Sequence, residues 1–215
     1  MATTAKLIIL DLDGTLIDSL DDLTDAVNVM RREFELPLLT RSQVRQLVGE
    51  GARRLVERAL TGRSPDEVEG GVELFLRYNF DHIAHRTVFY PGVRETLESL
   101  SRAGLTLAVA SNKSELHCRE ILRLLRADHL FAAILGADSV AERKPSPAPL
   151  FHLMSQFGCG VDETVMVGDS INDMKSGKAA GLYTIGCSYG YGPPEELLLA
   201  DTVIASFPEL LEKLG

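Results

Sequence analysis

The stretch that decides the fold is Lys6 to Ser19, KLIILDLDGTLIDS. Four apolar residues, Leu7 to Leu10, run straight into Asp11, and Asp13, Gly14 and Thr15 follow. A short apolar run without alternation predicts a strand buried on both faces, as in a parallel sheet covered by helices. Two carboxylates at the end of such a strand cannot join the core. They predict chemistry at the carboxyl edge of the sheet, where open α/β folds carry their sites. On a regular strand, residues i and i+2 point the same way. Gly14 lets the chain turn sharply and bring its amide close to an anion.

Outward from this strand the same signal recurs. Leu105 to Ala110 (LTLAVA), Ala132 to Gly136 (AAILG), Thr164 to Gly168 (TVMVG), Tyr183 to Gly186 (YTIG) and Thr202 to Ala205 (TVIA) are short and nearly all apolar. Helical patterns lie between them, at Val93 to Arg102, Ser114 to Leu125, Ala148 to Phe157 and Met174 to Ala180. Strand and helix in alternation predict an α/β fold, a doubly wound parallel sheet of Rossmann-like type. One region breaks the rhythm. From about Asp18 to His85 there is no strand signal, whereas Leu20, Leu23, Val27, Met30 and Phe34 fall at helical spacing. So do Ala52, Leu55, Val56, Ala59 and Leu60, and Pro91-Gly92 marks the return. The expected division is a core of residues 1–16 and 88–215 with a small helical cap, 17–87, inserted after the first strand. Leu16 to Ser19 and Arg86 to Pro91 are the expected hinges.

The chain has 215 residues, 45% hydrophobic and 25% charged, the profile of an ordinary globular protein. Its net charge of -9 argues against nucleic-acid binding, which leaves a basic footprint. No apolar run is long enough to span a bilayer, and the run before Asp11 is too short for a signal-peptide core. Cys118, Cys159 and Cys187 are widely spaced and odd in number, which reads as reduced thiols in a cytoplasmic protein. A monomer or homodimer is expected.

The polar residues that end the strands carry the chemistry. Asp11 and Asp13 end the first, Ser111 and Asn112 the second, and Asp169 ends TVMVG with Asp173 a helical turn later. Lys144 lies in ERKPSPAP after the third strand. Several carboxylates, one ammonium and one hydroxyl on one sheet edge suit Mg²⁺ and a phosphoryl group. Mg²⁺ prefers carboxylate and carbonyl oxygens, and it offsets repulsion between carboxylates and an anionic substrate. Lys144 supplies a point charge for phosphate oxygens. The Ser111 hydroxyl and nearby amides can donate to the same oxygens. Of two aspartates one residue apart, one can attack phosphorus and the other can protonate the leaving group and later activate water.

DLDGT, the SN after the second strand, KP and GDSIND resemble, in order, the four signature motifs of the haloacid dehalogenase superfamily, across essentially the whole chain. The resemblance implies Asp11 as nucleophile, Asp13 as acid/base, and Ser111 and Lys144 as phosphoryl ligands. It implies Mg²⁺ held by the Asp11 side chain, the Asp13 backbone carbonyl and Asp169, with Asp173 supporting the metal site. The insert resembles the small cap of the phosphatase branch, and VGEGARRL with the closing YGYGPPEELLLADTVIASFPELL looks like the phosphoglycolate phosphatase group. A dehalogenase expels halide and needs no acid such as Asp13. The family's phosphonoacetaldehyde hydrolases use a cap lysine, and no lysine occurs between Lys6 and Lys113; the same absence weakens a sugar-phosphate mutase. The expected reaction is hydrolysis of a small phosphomonoester, with 2-phosphoglycolate the favoured substrate. The alternatives are a pyrophosphatase, a nucleotide or sugar-phosphate phosphatase, or a regulatory binding protein without turnover.

Asn112 and Gly14 are expected to help hold the phosphoryl group, Asn112 through its backbone amide, with Lys113 flanking that site. In the cap, Arg53 and Arg54 follow Gly49 and Gly51, and an arginine there could pair with a substrate carboxylate. A solvated helix face is the competing reading. His82 and His85 read as surface or hinge residues, and GYGPP (Gly190 to Pro194) as a turn.

Overall fold

The computed structural model describes residues 5–214; residues 1–4 and 215 of the expected core segments lie outside the described residues. Strand β1 (Leu7–Leu10) is fully buried. It pairs in parallel with β4 (Thr106–Ala110) on one side and β6 (Thr164–Gly168) on the other. With β5 (Ala133–Leu135), β7 (Tyr183–Cys187) and β8 (Thr202–Ile204), the sheet runs β5-β4-β1-β6-β7-β8, all parallel. This is the doubly wound arrangement, in which the direction of strand progression reverses beside β1.

Period-two alternation splits the core. Ile8, Leu10, Leu107 and Val109 pack on one face with α5 (Val93–Arg102) and α6 (Glu115–Leu124), and the short α9 (Leu210–Leu214) closes the same side. Leu7, Ile9, Ala108 and Met166 pack on the other with α7 (Ala148–Phe157). Each large side chain buried this way contributes roughly 1.5–3 kcal/mol. The remaining core helix, α8 (Ile171–Ala179), begins just past β6.

Between β1 and α5 the chain forms a separate helical layer. A two-residue strand β2 (Ile17–Asp18) pairs antiparallel with β3 (Val88–Phe89). Strands this short carry no periodic signal, so the sequence shows hinge segments there but no ribbon. The ribbon brackets α1 (Leu20–Glu33), α2 (Arg41–Arg45), α3 (Gly51–Ala59) and α4 (Pro65–Asp81). These helices bury their own apolar cluster, with Leu23, Val27, Met30, Val56 and Phe75 at its centre. The crossing points are fastened by Asp22, a buried carboxylate of α1. It accepts the backbone N–H groups of Arg86 and Thr87 at 2.9–3.0 Å and the Thr87 hydroxyl at 2.7 Å. The three cysteines are free thiols. Among the described residues, no helix is long and apolar enough to cross a membrane.

Candidate active site

The strand order makes β1 and β6 neighbours, with Leu10 beside Val167. Asp11 and Asp169, one residue beyond each strand, therefore emerge side by side. The Asp11 N–H still donates to the Val167 carbonyl, at 2.9 Å. Asp173, on the first turn of α8, completes a buried trio in which one carboxylate oxygen from each residue lies within 4.8 Å of the other two. Lys144 reaches in from the loop after β5. Its ammonium lies 2.9 Å from Asp11 and 2.6 Å from Asp173, and the residue is buried, 3% exposed. Asp173 also accepts the Ser170 N–H at 3.0 Å and its hydroxyl at 2.7 Å. One carboxylate thus caps α8 and holds Lys144.

Three carboxylates face one ammonium in a dry site. Burial, opposed by Lys144 and aided by the Asp173 charge, pushes the Asp11 carboxyl above its ordinary range. Burial and then the Asp11 and Asp173 charges push Asp169 the same way. This excess of negative charge, offered by hard oxygen donors, fits a divalent cation.

Asp169 is gripped tightly. Its Oδ1 accepts the Thr15 hydroxyl at 2.9 Å, and its Oδ2 accepts the N–H groups of Tyr191 at 2.6 Å and Gly192 at 3.3 Å. Gly14 sits against it at φ +87°, where a Cβ would overlap the Asp169 carboxylate. The turn after DLD is therefore glycine for two reasons, conformation and space. It does not present its amide to an anion, as the sequence led us to expect, because the Gly14 N–H donates to the Ile17 carbonyl at 2.9 Å and Gly14 does not border the cleft. Asp13 lies apart from the trio. It pairs with Lys113 at 3.0 Å and accepts the Ser19 hydroxyl from the hinge. Burial opposes the Lys113 charge, but the Asp13 charge and hydrogen bond outweigh it and raise its pKa.

Asp11, Asp13, Ser111, Asn112, Lys144, Asp169 and Asp173 all border one cleft of about 900 Å³ between the sheet edge and the helical layer. Ser111 is buried, and its hydroxyl accepts the Lys113 N–H at 3.3 Å. The Asn112 side chain donates to the carbonyls of Gly49, at 3.0 Å, and Lys144, at 2.9 Å. It thus ties the loop before α3 to the core, a role absent from the sequence reading.

Arg53 and Arg54 are not brought to the cleft. α3 buries Leu55, Val56 and Ala59, which turns positions 53 and 54 outward. Arg53 pairs with Glu69 at 2.5 Å and Arg54 with Glu57 at 2.8 Å, both in solvent. The arginines that border the cleft are Arg45, Arg58 and Arg143. Arg45 is engaged with loop carbonyls and Arg58 with Glu50. The Arg143 guanidinium has no hydrogen-bond or ion-pair partner among the described residues, and it lies 3.2 Å from where a Gly51 Cβ would stand. His82 stacks on Tyr78 at the surface, and neither it nor His85 borders the cleft.

The sequence reading missed His117 and Tyr191. His117 borders the cleft with Nδ1 2.6 Å from the Ser114 hydroxyl; burial and then Lys113 lower its pKa to about 4. Tyr191 belongs to the GYGPP segment read as a turn. Its flanking glycines were the available signal, since a Cβ at Gly190 would strike Asp169 and the Gly14 carbonyl.

Comparisons with known proteins agree with this fold. Residues 8–187 match the family of haloacid dehalogenase-like hydrolases. A phosphoglycolate phosphatase of Haemophilus influenzae is 40% identical over the full length of both chains. One from Neisseria meningitidis is 38% identical over 95% of this chain and 91% of its own. The crystal structure of a predicted phosphoglycolate phosphatase from Haemophilus somnus superposes with a TM-score of 0.94 at 34% identity, covering all of both chains. The chain belongs to the haloacid dehalogenase-like hydrolase family.

Proposed function

We propose that this hydrolase is a Mg²⁺-dependent phosphatase of a small phosphorylated carboxylate, 2-phosphoglycolate, working through a phosphoenzyme on Asp11. The observation that carries the reading is the buried trio Asp11, Asp169 and Asp173 with Lys144 between two of its members. The names of the full-length relatives support the substrate.

In this reading Asp11, the Asp13 backbone carbonyl and Asp169 would hold Mg²⁺, with Asp173 supporting the site. Bound there, the cation would offset the charge that builds on the phosphoryl group. Lys144, the Ser111 hydroxyl and the Asn112 backbone amide hold the phosphoryl oxygens. Asp11 attacks phosphorus, the bond from phosphorus to the ester oxygen breaks, and the Asp13 carboxyl protonates the departing alkoxide. Asp13, now a carboxylate, takes a proton from water. The resulting hydroxide attacks the aspartyl phosphate, releasing inorganic phosphate and restoring Asp11. Lys113 and Ser19 hold Asp13 in place for both proton transfers. The segment 17–87 acts as a cap that excludes water during the first transfer and opens for release.

The substrate carboxylate needs a cation. Lys113, Lys144, Arg45 and Arg58 are engaged, so Arg143 is assigned to it.

A second reading, a larger phosphate ester, is favoured by the cleft itself. Its volume exceeds that of a two-carbon ester, and Leu23, Leu55, Phe75 and Leu76 give it an apolar wall. Phosphate release with and without Mg²⁺ from 2-phosphoglycolate, sugar phosphates, nucleotides and pyrophosphate tests both. Mg²⁺-dependent turnover ranked first on 2-phosphoglycolate supports the first reading, and a sugar phosphate or nucleotide in that place supports the second. A folded protein that binds Mg²⁺ and turns over none of these compounds would contradict the enzymatic reading.

A further inference from the structure

One peptide unit connects the cap to Asp169. The Gly190 carbonyl accepts Nη2 of Arg45, the last residue of α2, at 2.5 Å, and the Tyr191 carbonyl accepts its Nε at 2.9 Å. The Tyr191 N–H, on the far side of the Gly190–Tyr191 peptide plane, donates to Asp169 Oδ2 at 2.6 Å. A peptide plane is rigid, so a guanidinium that tilts its carbonyl also re-aims its N–H. A charged donor at one end and a carboxylate at the other polarise the two hydrogen bonds in the same sense. No slack is available, because a Cβ at Gly190 would strike Asp169 and one at Gly192 would strike the Asp169 backbone carbonyl.

The same tyrosine reaches the hinge. Its hydroxyl accepts the Ser19 N–H at 2.7 Å and donates to Asp18 at 3.2 Å, and the Ser19 hydroxyl donates to Asp13. Its ring packs against the apolar cluster of the helical layer. Tyr191, on the core side, therefore touches the cap cluster, the hinge and Asp169.

We propose that the Gly190–Tyr191 peptide couples seating of the cap to the orientation of Asp169, with Arg45 and Tyr191 as positioning residues. The inference rests on the proposed reading of Asp169 as a metal ligand. Coupling is reciprocal, so a seated cap raises affinity for the cation and the cation favours the seated cap.

The test uses the full chain without substrate. Mg²⁺ binding is measured by calorimetry for the wild type, Arg45→Gln, Arg45→Lys and Tyr191→Phe. Arg123→Gln, which alters an exposed pair with Glu120 on α6, is the control. Arg45 is exposed, so its loss leaves the apolar core intact. Amide exchange of segment 17–19 and of α2 is followed with and without Mg²⁺. The expected result is Mg²⁺ affinity about 5-fold weaker or more in Arg45→Gln, partial recovery in Arg45→Lys, a smaller loss in Tyr191→Phe and none in Arg123→Gln. Mg²⁺ should slow exchange at the hinge and α2 in the wild type and much less in Arg45→Gln. Equal affinity and equal slowing in the wild type and Arg45→Gln would overturn the coupling. A wild type that does not bind Mg²⁺ would instead overturn the metal reading of Asp169, and the coupling with it.

Discussion

The floor of the cleft and the cap above it handle charge in opposite ways. On the floor, Lys144 is held between Asp11 and Asp173, Lys113 on Asp13, and Asp169 between Thr15 and the Tyr191 loop, all buried or nearly so. In the cap, Arg53, Arg54 and Arg86 meet Glu69, Glu57 and Asp25 in solvent. An exposed pair is worth about 0–1 kcal/mol, whereas breaking a buried one costs roughly 3–5 kcal/mol. Apart from Asp22, whose buried carboxylate is held by the Arg86–Thr87 segment, the helical layer gains its stability from its apolar cluster. The difference teaches that fixed, buried charge is concentrated at the sheet edge, while the helical layer over it is held by apolar packing.

The sharpest way to break that comparison is at Asp11. Asp11→Asn removes the proposed nucleophile and leaves Lys144 paired with Asp173, so phosphate release should fall by more than about 10⁴-fold while the melting temperature holds or rises. Asp13→Asn should cost about 10²–10⁴-fold in kcat on alkyl phosphates. The loss should be smaller on an aryl phosphate whose leaving group needs no proton, which steady-state kinetics on both esters would reveal. Arg143→Met should raise KM for 2-phosphoglycolate roughly 10-fold or more, the worth of a charged hydrogen bond. It should leave ethyl phosphate unaffected, and equal losses on the two would contradict the assignment.

A pH scan sharpens the comparison further. Folded His117 binds its proton only near pH 4, whereas the unfolded chain binds it near the ordinary histidine value. Between those values the unfolded state holds more protons, so stability falls as pH falls through this window. Melting curves from pH 7 to 5 should be flatter in His117→Gln than in the wild type. The smallest effect belongs to Arg53→Ala and Arg54→Ala. Each should change kcat/KM by less than about twofold, as loss of an exposed pair far from the cleft should.

Much of this was legible before any coordinates. Unbroken apolar runs announced the six parallel strands, and carboxylates at their ends located the floor, because both follow from local sequence. The helical layer was legible from its spacing, with Leu20, Leu23, Val27 and Met30 buried as expected. What sequence could not supply depends on how layers meet. Arg53 and Arg54 follow two glycines just as cleft-facing residues would, and only the burial of Leu55, Val56 and Ala59 turns them outward. Arg45 and Arg143 look like ordinary surface arginines until the cap is seated. Tyr191 lies more than 20 positions from Asp169 in the chain, and their hydrogen bond exists only because β6 and β7 are neighbours.

The most direct test of the central claim is to quench the enzyme in acid during turnover of 2-phosphoglycolate with Mg²⁺ and map the phosphoryl group by peptide mass analysis. The account predicts one added phosphoryl group on the peptide containing Asp11, absent without Mg²⁺ and absent in Asp11→Asn. Turnover that persists in Asp11→Asn, or a phosphoryl group carried on another residue, would contradict it.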